Sequence, residues 1–90
     1  MVGKRFLVGG RVQGVFYRAT IANHARGLAI TGHARNLADG RVEVLAWGAP
    51  QALEELERRL WVGSSASKVT SVEAEAVHPQ SPAPGSFLTG

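Results

Sequence analysis

The sequence contains no cysteine among its 90 residues. Disulfide bonds, a thiolate nucleophile and thiolate metal ligands are therefore excluded. Aromatic residues make up only 7% of the chain, and no apolar stretch approaches the roughly 20 residues that a membrane-spanning helix needs. The first residues, "MVGKRFLVGG", lack the long apolar core and the cleavage site of a secretory signal. We therefore expect a cytoplasmic protein with no membrane partner.

Charge is also limited in amount and scattered along the chain. Ten Lys and Arg against seven Asp and Glu give a net charge of +3, and no run of five or six like charges occurs. Most of the cations are arginine, whose flat guanidinium donates paired hydrogen bonds to phosphate and carboxylate oxygens. This composition fits an anionic partner, either a small metabolite or a nucleic acid. On composition alone, a solvated basic surface is the simpler interpretation.

Hydrophobic periodicity predicts six elements in one small domain that spans residues 1–90. Alternating apolar residues predict strands, and apolar residues three or four apart predict helices. The pair Asp39-Gly40 predicts a hairpin turn between the second and third strands. In chain order we expect a strand over 4–12, a helix from Tyr17 or Arg18 to about Gly27, a strand in "TGHARNLADG", a strand over 41–48, a helix from Pro50 that Gly63 ends, and a strand over 68–77.

The order strand-helix-strand-strand-helix-strand predicts an α+β fold, a ferredoxin-like α/β sandwich. Its antiparallel sheet would carry both helices on one face. The fourth strand should be irregular at its start, because Val69 and Val72 are out of phase with alternation. The prolines of 78–86 predict a surface loop, and only "SFLT" remains for a fifth strand. The topology serves metal carriers, RNA binders, regulatory domains and enzymes, so it does not select a function.

The stretch "GGRVQGVFYRAT", residues 9–20, joins the first strand to the first helix. Gly14 lets the chain bend, so that consecutive amides from Gln13 to Tyr17 can converge on an anion at the helix N-terminus. Arg18 can add a bidentate hydrogen bond. The pattern is neither a Walker sequence nor the dinucleotide fingerprint. From these residues alone, an ordinary turn with a surface arginine is the favoured interpretation.

Two longer stretches carry a family resemblance. "GRVQGVFYR" and "GHARNLADGRVEVLAWG" resemble the two signatures of the acylphosphatase family, in the same order and at the family's separation. The likeness extends over roughly residues 4–77. It implies hydrolysis of the carboxyl-phosphate bond of a small-molecule acyl phosphate to a carboxylate and inorganic phosphate. It also implies that neither a metal nor a cofactor takes part.

The resemblance places the family's catalytic residues at Arg18 and Asn36. Arg18 and the loop amides would neutralise the phosphate oxygens, and Asn36 would aim a water at phosphorus, opposite the departing carboxylate. Without the resemblance, Asn36 would be interpreted as a turn residue before the hairpin. We expect inorganic phosphate or sulfate to occupy the same site. The residues implied to bind the substrate phosphate are Gln13, Gly14, Val15, Phe16 and Tyr17.

Two side-chain expectations complete the site. Phe16 is expected to pack beneath the phosphate loop. The three histidines, His24, His33 and His78, match no spacing typical of metal ligands, so no metal site is predicted.

Two other functions compete with hydrolysis. RNA-recognition domains share this topology but stack bases on aromatic residues of the two central strands. Here those strands offer only Phe6 and Trp47, which argues against a nucleic-acid partner. A ligand-binding or maturation module could keep the fold without the activity, but the presence of both Arg18 and Asn36 favours an active enzyme. Because the apolar stripes of the predicted elements are all used in a single core, we expect a monomer.

Overall fold

The computed structural model describes residues 2–77 and 87–89. Within them both predicted helices and all four predicted strands are confirmed, and one further short strand is present. The segment 78–86, predicted to form a surface loop, lies outside the described residues. The elements are β1 (Val2–Arg11), α1 (Tyr17–Gly27), β2 (Thr31–Asn36), β3 (Val42–Gly48), α2 (Pro50–Val62), β4 (Lys68–Val77) and β5 (Phe87–Thr89).

The five strands form one sheet in the order β4-β1-β3-β2-β5. Neighbouring strands are antiparallel except for β5, which lies parallel to β2. The predicted ferredoxin-like sandwich is confirmed, and the parallel β5 makes the sheet mixed rather than wholly antiparallel. Because β1 and β2 run in the same direction, the loop after β1 and the last residue of β2 lie at the same end of the sheet.

The core lies between one face of the sheet and the two helices. Phe6 and Val8 of β1 pair with Val44 and Val42 of β3, and all four side chains are fully buried. Burying one such side chain contributes about 1.5–3 kcal/mol, so this layer supplies much of the stability. To this core the helices contribute Ile21, Ala22 and Ala25 from α1 and Leu53, Leu56 and Leu60 from α2.

In the described part of the chain no helix is long and apolar enough to cross a membrane.

The predicted irregularity at the start of β4 is a β-bulge. Gly9 pairs with Ser71, whereas the next residue, Gly10, pairs with Val69, so one residue of β4 is skipped. The extra residue brings both Val69 and Val72 against the core. Gly10 adopts a φ of 117°, and a Cβ there would collide with the backbone of β4. The bulge therefore requires glycine at this position.

Candidate active site

Residues 12–16 join β1 to α1 in a tight loop. The chain bends through two positive φ angles, 72° at Gly14 and 60° at Phe16. A Cβ on Gly14 would meet no atom within 4 Å, so glycine is favoured there by the backbone conformation alone. The bend predicted at Gly14 is therefore present, and α1 begins directly after it at Tyr17.

The first turn of α1 is uncapped in the part of the chain that the structure describes. The N-cap residue, Phe16, offers no side-chain hydrogen bond, and the first turn contains no Asp or Glu. The first N–H groups of a helix have no partner within the helix, and they carry the positive end of its dipole. These donors are therefore available to an anion.

The Gln13 side chain fastens this loop to the turn between β2 and β3. Its Nε2 donates to the carbonyl oxygen of Leu37 at 2.8 Å and to that of Arg41 at 3.0 Å. Leu37 directly follows Asn36, so the contact fixes the loop against the segment that carries Asn36. Sequence reasoning gave Gln13 only a backbone role, because no local pattern identifies acceptors 24 and 28 residues away.

Two hydrogen bonds fasten the other side of the loop to the end of α2. The Ser64 hydroxyl donates to the carbonyl of Val15 at 2.7 Å, and the Tyr17 hydroxyl donates to the carbonyl of Leu60 at 2.7 Å. Burial raises the pKa of the Tyr17 hydroxyl well above its ordinary value. Tyr17 is therefore a neutral hydrogen-bond donor near pH 7, and its hydroxyl holds the loop in place.

A cleft of about 300 Å³ opens beside the loop and the start of α1. Arg18 lines it and is partly buried. Among residues 2–77 and 87–89, no carboxylate forms an ion pair with Arg18. Its positive charge therefore adds to that of the helix N-terminus at the cleft. The described residues that line the cleft are Val12, Gly14, Phe16, Tyr17, Arg18, Ala19 and Thr89.

Four of the seven predicted site residues thus share this cleft, namely Gly14, Phe16, Tyr17 and Arg18. Gln13 and Val15 belong to the same loop, but neither is among the described residues that form the cleft wall. Gln13 instead bonds to the β2–β3 turn, and Val15 packs against the core.

Asn36 is not among the described residues that line the cleft. It is the last residue of β2, is exposed, and pairs with Val42 of β3. Because paired residues share a sheet face and Val42 is buried under the helices, Asn36 lies on the helix-bearing face. The hydrogen bond from Gln13 to Leu37, the residue after Asn36, connects the loop to the segment that carries Asn36.

The prediction that Phe16 packs beneath the loop is wrong. Phe16 is 82% exposed, and Tyr17 is the aromatic residue buried below the loop. The left-handed φ at Phe16 turns its side chain outward, and the helix that starts at Tyr17 directs the following side chain into the core. Hydrophobic pattern carries no information about the sign of φ, so the sequence did not reveal this.

A second polar cluster lies on the sheet face opposite the helices. Glu43 of β3 is 3% exposed, and its carboxylate accepts from Arg5 Nε at 2.6 Å and from Arg35 Nε at 2.7 Å. His33 Nε2 lies 3.5 Å from the same carboxylate. Burial raises the pKa of Glu43, but the side chains of Arg5, His33 and Arg35 outweigh burial and leave the pKa below its ordinary value. We call these four residues the Glu43 cluster.

The aromatic side chains of the central strands are unavailable to a nucleic acid. Phe6 is fully buried under the helices, and Trp47 is 4% exposed. Base stacking requires an exposed ring. The two aromatic residues that RNA binding would need for base stacking are therefore buried.

Comparison with known proteins identifies the family. Residues 4–87 match the family description Acylphosphatase. An acylphosphatase of Alkalilimnicola ehrlichii is 53% identical over 79 residues, which cover 88% of this chain and 89% of that protein. An acylphosphatase of Xanthomonas campestris pv. campestris is 57% identical over 72 residues, covering 80% of this chain and 82% of that protein. The chain belongs to the acylphosphatase family.

A solved acylphosphatase structure supports the same assignment. The crystal structure of acylphosphatase from Bacillus subtilis superposes with a TM-score of 0.94 at 33% sequence identity, covering 100% of this chain and 99% of that chain. The predicted family, the ferredoxin-like fold and the enzyme class, an acylphosphatase that hydrolyses acyl phosphates, are confirmed.

Three of the described residues that line the cleft were not predicted from the sequence. Val12 and Ala19 flank the predicted loop, so a wider window around it would have found them. Thr89 comes from β5, whose parallel pairing with β2 places it opposite Ala34. No local signal in the sequence predicts that pairing.

Proposed function

We propose that this acylphosphatase carries out hydrolysis at the cleft beside α1, with the backbone amides of residues 13–17 and Arg18 holding the phosphate and Asn36 orienting the attacking water. The supporting observation is that the uncapped start of α1 and the guanidinium of Arg18, which has no carboxylate partner among the described residues, face one cleft. In this proposal neither a metal nor a cofactor takes part.

The phosphate would be held mainly by electrostatics. In phosphoryl transfer, catalysis depends on positioning and on neutralising charge on the equatorial oxygens. Free amides at a helix N-terminus and a guanidinium supply fixed donors, which require little reorganisation during the reaction. The hydrogen bonds from Ser64 and Gln13 support this role, because they fasten the loop on both sides.

Asn36 would supply the water. A carboxamide both donates and accepts hydrogen bonds, so it can hold a water with a lone pair directed at phosphorus. The acyl carboxylate is a good leaving group, so the reaction needs no strong general base. The proton of the attacking water would pass to the substrate's own phosphate group as the carboxylate departs.

We further propose that inorganic phosphate, the product, or sulfate binds the same loop, and that the protein acts as a cytoplasmic monomer. The buried apolar stripes of α1 and α2 support a monomer, because both are used in one core.

The test is a coupled assay of benzoyl phosphate hydrolysis with EDTA present. Wild type should be active with the chelator. Arg18→Ala should lower kcat/KM by about 1000-fold and Asn36→Ala by about 100-fold, because each removes charge stabilisation or positioning at the reacting group. Arg35→Ala is the matched control, since Arg35 precedes Asn36 but bonds to Glu43 on the other face. It should change kcat/KM by no more than about twofold.

Two results would refute the assignment of these residues. One is full activity of Arg18→Ala or Asn36→Ala. The other is a loss in Arg35→Ala as large as that in Asn36→Ala, which would indicate that disturbing β2 explains both.

A further inference from the structure

Phe16 is the most exposed of the large hydrophobic residues that the structure describes. At 82% exposure its ring has almost no protein contact, although it lies at the edge of the candidate active site. An exposed ring contributes little to folding, because its apolar surface stays in water. The other exposed large hydrophobic residues are Val2, Trp61, Val62 and Leu88.

The fold holds Phe16 in this exposed position. Its backbone is left-handed, with φ 60° and ψ 19°, a conformation that phenylalanine rarely adopts and that costs free energy. The Phe16 carbonyl accepts from the backbone N–H of Thr20 at 3.1 Å and from the Thr20 hydroxyl at 3.0 Å. Val15 precedes Phe16 and Tyr17 follows it, and each of these two residues forms a hydrogen bond with a residue in or just after the last turn of α2. The direction of the ring is therefore built into the backbone.

The cleft beside Phe16 is lined by two chemically different kinds of group. Gly14 and Arg18 provide backbone and cationic groups, whereas Phe16 and Ala19 provide exposed apolar surface. A ligand that matches both kinds of group carries an anionic head and an apolar body. An acyl phosphate with an aromatic or bulky aliphatic acyl group has this composition, whereas acetyl phosphate has only a methyl group beyond its carbonyl.

We propose that the ring of Phe16 contacts the acyl group of the substrate and makes this enzyme selective for acyl phosphates with aromatic or bulky apolar acyl groups. The proposal rests on the phosphate site proposed above, because that site determines where the acyl group lies. Phe16 is then a specificity-determining residue, and its left-handed backbone holds the ring exposed at the edge of the cleft.

The experiment compares kcat/KM for benzoyl phosphate with kcat/KM for acetyl phosphate. A change in phosphate binding affects both substrates, so it cancels in the ratio of the two values. Phe16→Asn tolerates the left-handed backbone but removes the apolar ring. It should lower the benzoyl-to-acetyl ratio about tenfold, the effect of losing one aromatic contact. Phe16→Leu, which keeps an apolar side chain, should lower the ratio by less.

Trp61→Ala is the matched control, because Trp61 is an exposed aromatic residue on α2 that is not among the described residues lining the cleft. It should leave the ratio within about twofold of wild type. An unchanged ratio in Phe16→Asn would overturn the role of Phe16 while leaving the proposed hydrolysis site intact. Full activity of Arg18→Ala toward both substrates would instead overturn the phosphate site, and the Phe16 proposal with it.

Discussion

The two faces of the sheet use arginine in opposite ways. In the Glu43 cluster, Arg5 and Arg35 both donate to one buried carboxylate. At the cleft, Arg18 has no carboxylate partner within residues 2–77 and 87–89, and it lies next to the uncapped amides of α1. A guanidinium that is neutralised by a buried carboxylate contributes to stability, whereas one left unneutralised beside free donors can bind an anion. The same residue type therefore has a structural role in the Glu43 cluster and, in the function proposed above, a substrate-binding role at the cleft.

The largest stability effect should come from the Glu43 cluster. Glu43→Gln keeps the shape of the side chain but removes the charge that faces Arg5 and Arg35. Breaking a fully buried ion pair costs about 3–5 kcal/mol. Both arginines are partly exposed and can regain water, so we expect a loss of about 2 kcal/mol in the free energy of unfolding, measured in urea.

The activity of the same variant, Glu43→Gln, distinguishes the role of the Glu43 cluster from that of the cleft. Because Glu43 is not among the described residues at the cleft, Glu43→Gln should retain kcat/KM for benzoyl phosphate within about twofold of wild type. A variant as stable as wild type but inactive would reverse the roles that the comparison assigns to the two faces.

A smaller effect, on kcat, should follow from loss of the Gln13 contact. Gln13→Met fills the same space but cannot donate to Leu37 and Arg41, so the loop and the Asn36 segment are no longer fixed together. Misplacement of a water-orienting group lowers the rate of the chemical step, and we expect kcat to fall about tenfold. Steady-state kinetics with benzoyl phosphate measures the change.

Ser64→Ala is the control for Gln13, because Ser64 fastens the opposite side of the loop through Val15. It should destabilise the protein with a smaller loss of kcat, since none of the hydrogen bonds described for Ser64 involves the Asn36 segment. Equal losses of kcat in the two variants would show that any loosening of the loop has the same effect, and that Gln13 has no specific role.

The smallest effect is the pH dependence of the Glu43 cluster. The pKa of Glu43 lies below its ordinary value of 4.5 in the folded protein. The carboxylate therefore stabilises the fold above about pH 4.5, and this contribution is lost as the pH falls through the lower, folded-state pKa. The difference in unfolding free energy between wild type and Glu43→Gln should therefore shrink as the pH falls through the folded-state pKa of Glu43. Urea unfolding at several pH values measures it, and a difference that grows in acid would contradict the role of Glu43.

The elements of this fold follow from local patterns, whereas the site depends partly on distant pairings. Alternation and helical spacing locate both helices and the four main strands, and the phase break between Val69 and Val72 even indicates the bulge in β4. The outward direction of Phe16 depends on the sign of one φ angle, which hydrophobicity does not encode. Thr89 reaches the cleft only through the parallel pairing of β5. Neither the sign of that φ angle nor the pairing of β5 with β2 is predicted by any short stretch of sequence.

The most direct test of the central claim is an NMR titration of the amide signals with inorganic phosphate. If the uncapped amides and Arg18 bind the anion, the largest shift changes should occur at residues 13–18, and they should disappear in Arg18→Ala. Shift changes that are largest around Arg5 and Arg35, or that persist in Arg18→Ala, would contradict the claim that the loop before α1 is the phosphate site.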